Sequence, residues 1–177
     1  MQRRHLFSSR RGQTLIEALI ALSVITLGFL GILALLAKSF FYNRTISDQL
    51  TATYLAAEGV EVAKNLIDHG VVSGAAWNSC FAPYENSAGV AQLALDYTST
   101  DCGSLNLYAA GAVLQFDGTT NRYSYHITAG SAATGFSRDV IVRSAGDQIT
   151  VNSVVTWNTG PITSQSVNLE DHFYKWK

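Results

Sequence analysis

Twenty consecutive uncharged residues, Ala18 to Ala37 (ALIALSVITLGFLGILALLA), stand near the start of the chain and end at Lys38. As an α-helix they extend about 30 Å, the thickness of a bilayer core, so the pattern predicts a membrane span. Beyond Lys38 the run Ser39-Phe40-Phe41-Tyr42-Asn43-Arg44 places aromatics where the interfacial belt of a span falls. Leu55, Val62 and Leu66 then recur at helical spacing within Thr53 to Asn65, a stretch rich in Ala, Glu and Lys. The helix is therefore expected to continue to Asp68-His69-Gly70, with Gly70 in the left-handed cap conformation.

From Val71 onward the pattern changes to Gly, Ser, Thr and Asn with short alternating runs. Ala112, Leu114 and Phe116 alternate, as do Tyr123, Tyr125 and Ile127, and then Val140 and Val142 between Arg138 and Arg143; each set predicts a strand buried on one face. A last pair of strands, Ile149 to Trp157 and Ile162 to Leu169, flanks the turn signal Asn158-Thr159-Gly160-Pro161. One helix followed by strands predicts an α+β fold: a long N-terminal α-helix, membrane-spanning in its first half, packed at its second half against a C-terminal antiparallel β-sheet.

Charge sharpens this division. The chain sums to −1, yet Arg3, Arg4, Arg10 and Arg11 all precede the span with no acid among them, and from Gln13 onward eight basic residues face thirteen acidic ones. The arginine excess on one flank predicts an N-terminus held in the cytoplasm and export of everything after Lys38. An acidic body argues against nucleic acid as a partner, because counterion displacement from phosphates needs surplus Lys and Arg. A local patch of Arg122, Arg138 and Arg143 is the one basic grouping left open in that body.

Other sources of such a run are a secretory signal, a buried core helix and a permanent anchor. A signal's apolar run is usually shorter, about 7–15 residues, and only Ala37-Lys38-Ser39 faintly resembles a cleavage site. A helix apolar all round needs a large protein to cover it. Against a plain anchor stands Glu17 at the mouth of the span, with no Lys, Arg or His within a helical turn downstream. A carboxylate there costs up to a few kcal/mol and usually has a partner.

These residues carry a family resemblance. The string Arg10-Arg11-Gly12-Gln13-Thr14-Leu15-Ile16-Glu17-Ala18-Leu19-Ile20-Ala21-Leu22 resembles the N-terminal cleavage and methylation segment of type IV prepilins and type II secretion pseudopilins. The resemblance implies that a membrane-embedded prepilin peptidase cuts between Gly12 and Gln13 and methylates Gln13, and that Glu17 is the acid used in subunit assembly. It also implies as partners other pilin subunits and an inner-membrane assembly platform. Ser23 to Gly31 is most similar to the PilV-like minor prepilins, and Ala52 to Asn65 resembles the second helical half common in minor prepilins. The chain departs from the family in carrying Gln13 where Phe is typical and no proline in the span.

The resemblance divides the chain into a cleaved leader (1–12), a transmembrane and filament-core helix (13–38), its continuation into the head (39–69) and a β-rich exported head (70–177). The physical sense is direct. Gly gives slim backbone at the scissile bond. The freed, methylated ammonium neutralises the Glu17 of an adjacent subunit, and a head-to-tail contact that does not close generates a helical filament.

Cys80 and Cys102 are the only cysteines, and an even count in an exported domain predicts a disulfide, with two buried thiols the alternative. His5, His69, His126 and His172 are scattered, with no pair at zinc-ligand spacing and His126 on the polar register of its strand. No metal site, cofactor or catalytic constellation is expected, and the chain reads as a non-enzyme. Asn65 to Asn121 lacks Lys and Arg but holds Asp68, Glu85, Asp96, Asp101 and Asp117, so calcium stands as an alternative to a merely acidic surface, without EF-hand spacing. Glu58 and Glu61 are candidate contacts to neighbouring subunits or else a solvated helix face. The aromatic end, Glu170 to Lys177, packs on the sheet or meets a partner.

The sequence thus predicts a minor pilin of a type IV pilus or related filament, resident N-in in the inner membrane before assembly and extracellular or periplasmic afterwards. A secretion pseudopilin and a membrane-anchored binding domain that never polymerises are the alternatives.

Overall fold

The structure is a computed structural model that describes residues 11–159 and 163–175, with side chains from Gln13 onward. The leader residues 1–10, Gly160-Pro161-Ile162 with the expected start of the last strand, and the terminal Trp176-Lys177 lie outside the described residues. The chain divides into two compact units, Met1–Ile46 and Ser47–Lys177.

In the first unit the described residues are the opening part of helix α1, Arg11–Val72. Every residue from Gln13 to Arg44 is exposed. Leu, Ile and Ala give this stretch its propensity, and its hydroxyls turn back on the helix: Ser23 Oγ donates to Leu19 O at 2.7 Å and Thr26 Oγ1 to Ser23 O at 2.9 Å. Polar groups satisfied within one helix are what a hydrocarbon environment demands.

In the second unit the rest of α1 packs on a four-stranded antiparallel sheet. Its strands are β1 (Val90–Leu93), β5 (Phe136–Ala145), β6 (Gln148–Asn158) and β7 (Ser164–Tyr174), in the order β1-β5-β6-β7. A smaller antiparallel sheet combines β2 (Gln115–Asp117), β3 (Arg122–Ser124) and β4 (Ser131–Ala133) in the order β3-β2-β4. The α+β architecture expected from the sequence is what the structure has.

The packing face of α1 follows a three-and-four spacing: Ala52, Leu55, Ala56, Gly59, Ala63, Leu66, Ile67 and Gly70 are all buried. Five of these eight are Ala or Gly, which bring the helix backbone close to the sheet. Opposite them, period-two alternation points Val140 and Val142 of β5 and Ile149, Val151, Val155 and Trp157 of β6 inward. Each large side chain so buried contributes about 2 kcal/mol. The core forms two apolar clusters, one around Ala63, Leu66, Val140, Val142 and Val151, the other around Ala52, Leu55, Leu114, Val155 and Trp157.

Several boundaries differ from those expected. Helix α1 runs past Gly70 to Val72, because the residue in the left-handed region is Gly74 (φ 75°). Gly74 N donates to Val71 O at 3.1 Å and Ala75 N to Gly70 O at 3.0 Å, the paired bonds of a Schellman cap. Gly70 instead admits the following loop, since a Cβ there would lie 3.3 Å from Ser79 Oγ and 3.6 Å from Cys80 Sγ.

The alternation at Ala112 to Phe116 and at Tyr123 to Ile127 yields only three-residue strands. Leu114 and Tyr125 lie outside them, pinned by Leu114 N to Phe136 O (2.8 Å) and Tyr125 N to Asp96 Oδ2 (2.8 Å). The strand expected to end at Leu169 runs to Tyr174, so the aromatic end forms part of β7 and Phe173 packs against the core.

Candidate functional site

Gln13 and Glu17 lie one helical turn apart on the first unit's helix, with Ile16, Ile20 and Ala21 on the same face, and both are exposed. The scissile bond expected after Gly12 falls inside α1, one residue past its first position. Glu17 therefore stands as an uncovered carboxylate at the start of an uncovered apolar helix, long and apolar enough to cross a membrane.

The second unit spends several of the remaining candidates internally. Arg138, assigned by sequence to a possible surface patch with Arg122 and Arg143, is 0% exposed, so no such patch exists. It sits between the two apolar clusters, where Nη1 donates to Leu55 O at 2.8 Å and Nη2 to Leu95 O at 2.5 Å, and Nη1 lies 3.5 Å from Glu58 Oε2. Glu58 is therefore a partner of its own chain's arginine. Glu61 makes only a 4.0 Å contact with Lys64 across one turn of exposed helix. Tyr125 adds its hydroxyl to Arg138 O, and burial pushes that phenol up to about 12.

Arg143 and Arg122 go elsewhere. On the outer face of the large sheet, Arg143 Nη1 donates to Asn152 Oδ1 at 2.8 Å, and Asn152 Nδ2 to Glu170 Oε2 at 2.6 Å. Glu170 Oε1 is 3.1 Å from His172 Nε2. Arg122 stacks over the Tyr97 ring at 5.0 Å.

Three of the acids considered for calcium, Asp96, Asp101 and Asp117, are turn acceptors. Asp96, 2% exposed, receives Thr98 N at 2.9 Å and Tyr125 N at 2.8 Å. Asp101 receives Gly103 N and Ser104 Oγ, each at 2.9 Å, and the Ser104 bond first among these causes holds its carboxyl below the usual range. Asp117 receives Thr119 N at 2.8 Å, with the same direction of shift. The described residues bring no set of these carboxylates together.

Cys80 and Cys102 form the expected disulfide. His69, which sequence spacing did not connect to them, is brought to 3.7 Å from Cys102 Sγ by its Nδ1. Arg138, Gly59 and His69 are the residues that reading the sequence missed. Arg138 had a signal, since it shares the inward parity of Val140 and Val142.

Comparison with known proteins bears on the first unit. Residues 7–33 match the model of the prokaryotic N-terminal methylation motif. No curated protein and no solved structure matches the chain. The matched segment holds Gly12, Gln13 and Glu17 and most of the apolar helix, and it is joined to a pilin-like α+β head. That motif preceding that fold supports a type IV pilin-like or pseudopilin precursor.

Proposed function

We propose that the chain is a structural, non-enzymatic subunit, a minor pilin of a type IV pilus or pilus-like filament. In this reading prepilin peptidase cuts after Gly12 and methylates Gln13, the apolar helix holds the subunit in the inner membrane, and an assembly platform moves it into an extracellular or periplasmic filament. The observation that carries the reading is Glu17, an exposed carboxylate one turn into an apolar helix that nothing covers among the described residues of its unit.

A carboxylate in hydrocarbon costs up to about 3 kcal/mol, which a cationic terminus offsets. Gln13 and Glu17 share a helix face, so the new ammonium can satisfy the chain's own Glu17 in the membrane and a neighbour's in a filament. Apolar surface moved from lipid to other helices gains little, since lipid tails are as apolar as Leu. The polar pair is left to set register.

Intact mass and N-terminal sequencing of the membrane-extracted protein test processing: the chain should begin at methylated Gln13. A start at Met1 would support a permanent anchor, and a start near Ser39 a secretory signal. Glu17→Ala should insert normally and fail to enter filaments; normal incorporation would remove the pairing argument. Deletion that abolishes export of other proteins and leaves surface filaments intact would favour the secretion pseudopilin.

A further inference from the structure

The end of α1 treats the two sulfurs of the disulfide differently. Cys80 is 0% exposed, and its Sγ lies 3.1 Å from Leu66 O, the carbonyl of a helical residue three positions before His69. Cys102 is only half-buried, and His69, exposed, sets Nδ1 3.7 Å from its Sγ. The Cys102 turn is held in place: Asp101 accepts Gly103 N and Ser104 Oγ, while the Tyr84 hydroxyl donates to Cys102 O at 3.3 Å and accepts Leu105 N at 3.2 Å.

In the reduced chain these surroundings have opposite effects. A Cys80 thiol donates its S–H to Leu66 O, in an apolar core at the negative end of a helix dipole, and is the less accessible and less reactive of the two toward an external disulfide. A Cys102 thiol meets an imidazole nitrogen able to accept its proton when the ring is the Nε2–H tautomer. The Asp101 carboxylate lies close enough to His69 to interact with it electrostatically. The packed turn brings Asp101 and Cys102 to the ring, Tyr84 reaches the Cys102 carbonyl, and Asp68 is beside His69 in the chain.

We propose that Cys102 is the sulfur through which this disulfide is made, with His69 as its base and Cys80 as the resolving thiol. The co-reactant is an external disulfide, that of a thiol oxidase or a small molecule. Cys102 gives its proton to His69 Nδ1, and the thiolate attacks one sulfur of the external disulfide. The other external sulfur leaves as a thiol, taking the proton back. The Cys80 thiol then loses its proton and attacks Cys102 Sγ, and the second external thiol departs. Two protein thiols are oxidised, and one external disulfide is reduced to two thiols.

The test uses the full chain in detergent micelles with oxidised glutathione as the probe, read by intact mass. Cys80→Ser, which leaves Cys102 free, should form the mixed disulfide at least about tenfold faster near pH 7 than Cys102→Ser, which leaves Cys80 free. Adding His69→Gln to Cys80→Ser should slow the reaction about tenfold near pH 7 and leave it unchanged near pH 10, where a thiol ionises unaided.

Equal rates for the two single-cysteine chains, or no effect of His69→Gln near pH 7, would overturn the proposal. Should either serine variant fail to fold by circular dichroism, the reduced natural chain is pulsed with limiting iodoacetamide and peptide-mapped. Cys102 must then be alkylated first, and equal labelling of both cysteines overturns the assignment.

Discussion

Replacing Gly59 by alanine separates helix propensity from packing, because the two predict opposite signs. Gly59 lies inside α1, where alanine is favoured over glycine by about 1 kcal/mol, so propensity alone makes Gly59→Ala stabilising. The structure places this glycine against the sheet: an added Cβ would collide with Ser153 Oγ and come within 3.1 Å of both Arg138 Cδ and Val140 Cγ2. The serine hydroxyl can rotate away. The other two contacts cannot yield, since Arg138 is fixed by bonds to Leu55 O and Leu95 O and Val140 is part of the sheet. Overpacking of this kind costs about 1–3 kcal/mol, so after the propensity gain the net expectation is destabilisation by about 1 kcal/mol. For a unit of this size that lowers the melting temperature by roughly 3–5 °C. Near-ultraviolet circular dichroism of the full chain in micelles, followed with temperature, measures it. Ser153 Oγ has no hydrogen-bond partner among the described residues, so Ser153→Ala alone should be close to neutral. Combined with Gly59→Ala it should restore about 1 kcal/mol, a coupling readable from the double-mutant cycle. A melting temperature raised by Gly59→Ala would refute the close approach of helix and sheet.

Arg138→Met should destabilise the head by about 3 kcal/mol in urea denaturation, because it strips charge-assisted donors from two buried carbonyls. Glu58→Gln should cost less than about 1 kcal/mol, since Glu58 is partly solvated; equal costs would shift the weight to the ion pair. Burial raises the Asp139 carboxyl to about 6, above its unfolded value of 3.8. Its contribution to stability is therefore fully present below about pH 4 and is lost as pH rises through about 6. Asp139→Asn should accordingly raise the melting temperature near pH 7.5 and leave it unchanged near pH 4, whereas a pH-independent difference would remove desolvation as the cause. Reducing the disulfide, whose cysteines are 22 residues apart, should cost about 3 kcal/mol, seen as a lower urea midpoint.

The parts of the molecule legible in the sequence are those governed by period and length. The uncharged run before Lys38 lies in an exposed helix long and apolar enough to cross a membrane, and the β6 and β7 runs around Asn158 pair as their spacing implies, from Asn158↔Ser164 inward. The β5–β6 hairpin was equally open to inspection. Gly146-Asp147 separates paired Ala145 and Gln148, with Gly146 at φ 60° as a two-residue turn requires.

Features made by long-range contact were not legible. Gly70 has the composition of a cap, yet the loop carrying Ser79 and Cys80 folds back over it and the cap moves to Gly74. Arg138 reads as surface by type and as core by parity, and only the carbonyls of Leu55 and Leu95 explain why parity wins. The His69–Cys102 approach joins residues 33 apart in sequence through a turn set by Asp101, which no local spacing encodes.

The stacking of contacts along α1 has a mechanical consequence. Ala52, Leu55 and Ala56 meet the Val155–Trp157 cluster, Gly59 meets Ser153 and Arg138, Ala63 and Leu66 meet Val140 and Val151, and the disulfide lies beyond, at Leu66 and His69. Tension reaching the head along its own part of the helix, from Ser47 onward, would load these levels together. Such a joint yields only when apolar clusters and guanidinium bonds rupture at once, so its lifetime under force is set by the unfolding rate more than by the equilibrium stability of any single level. For the proposed filament, the head would therefore stay folded under pulls that peel apart contacts broken one at a time.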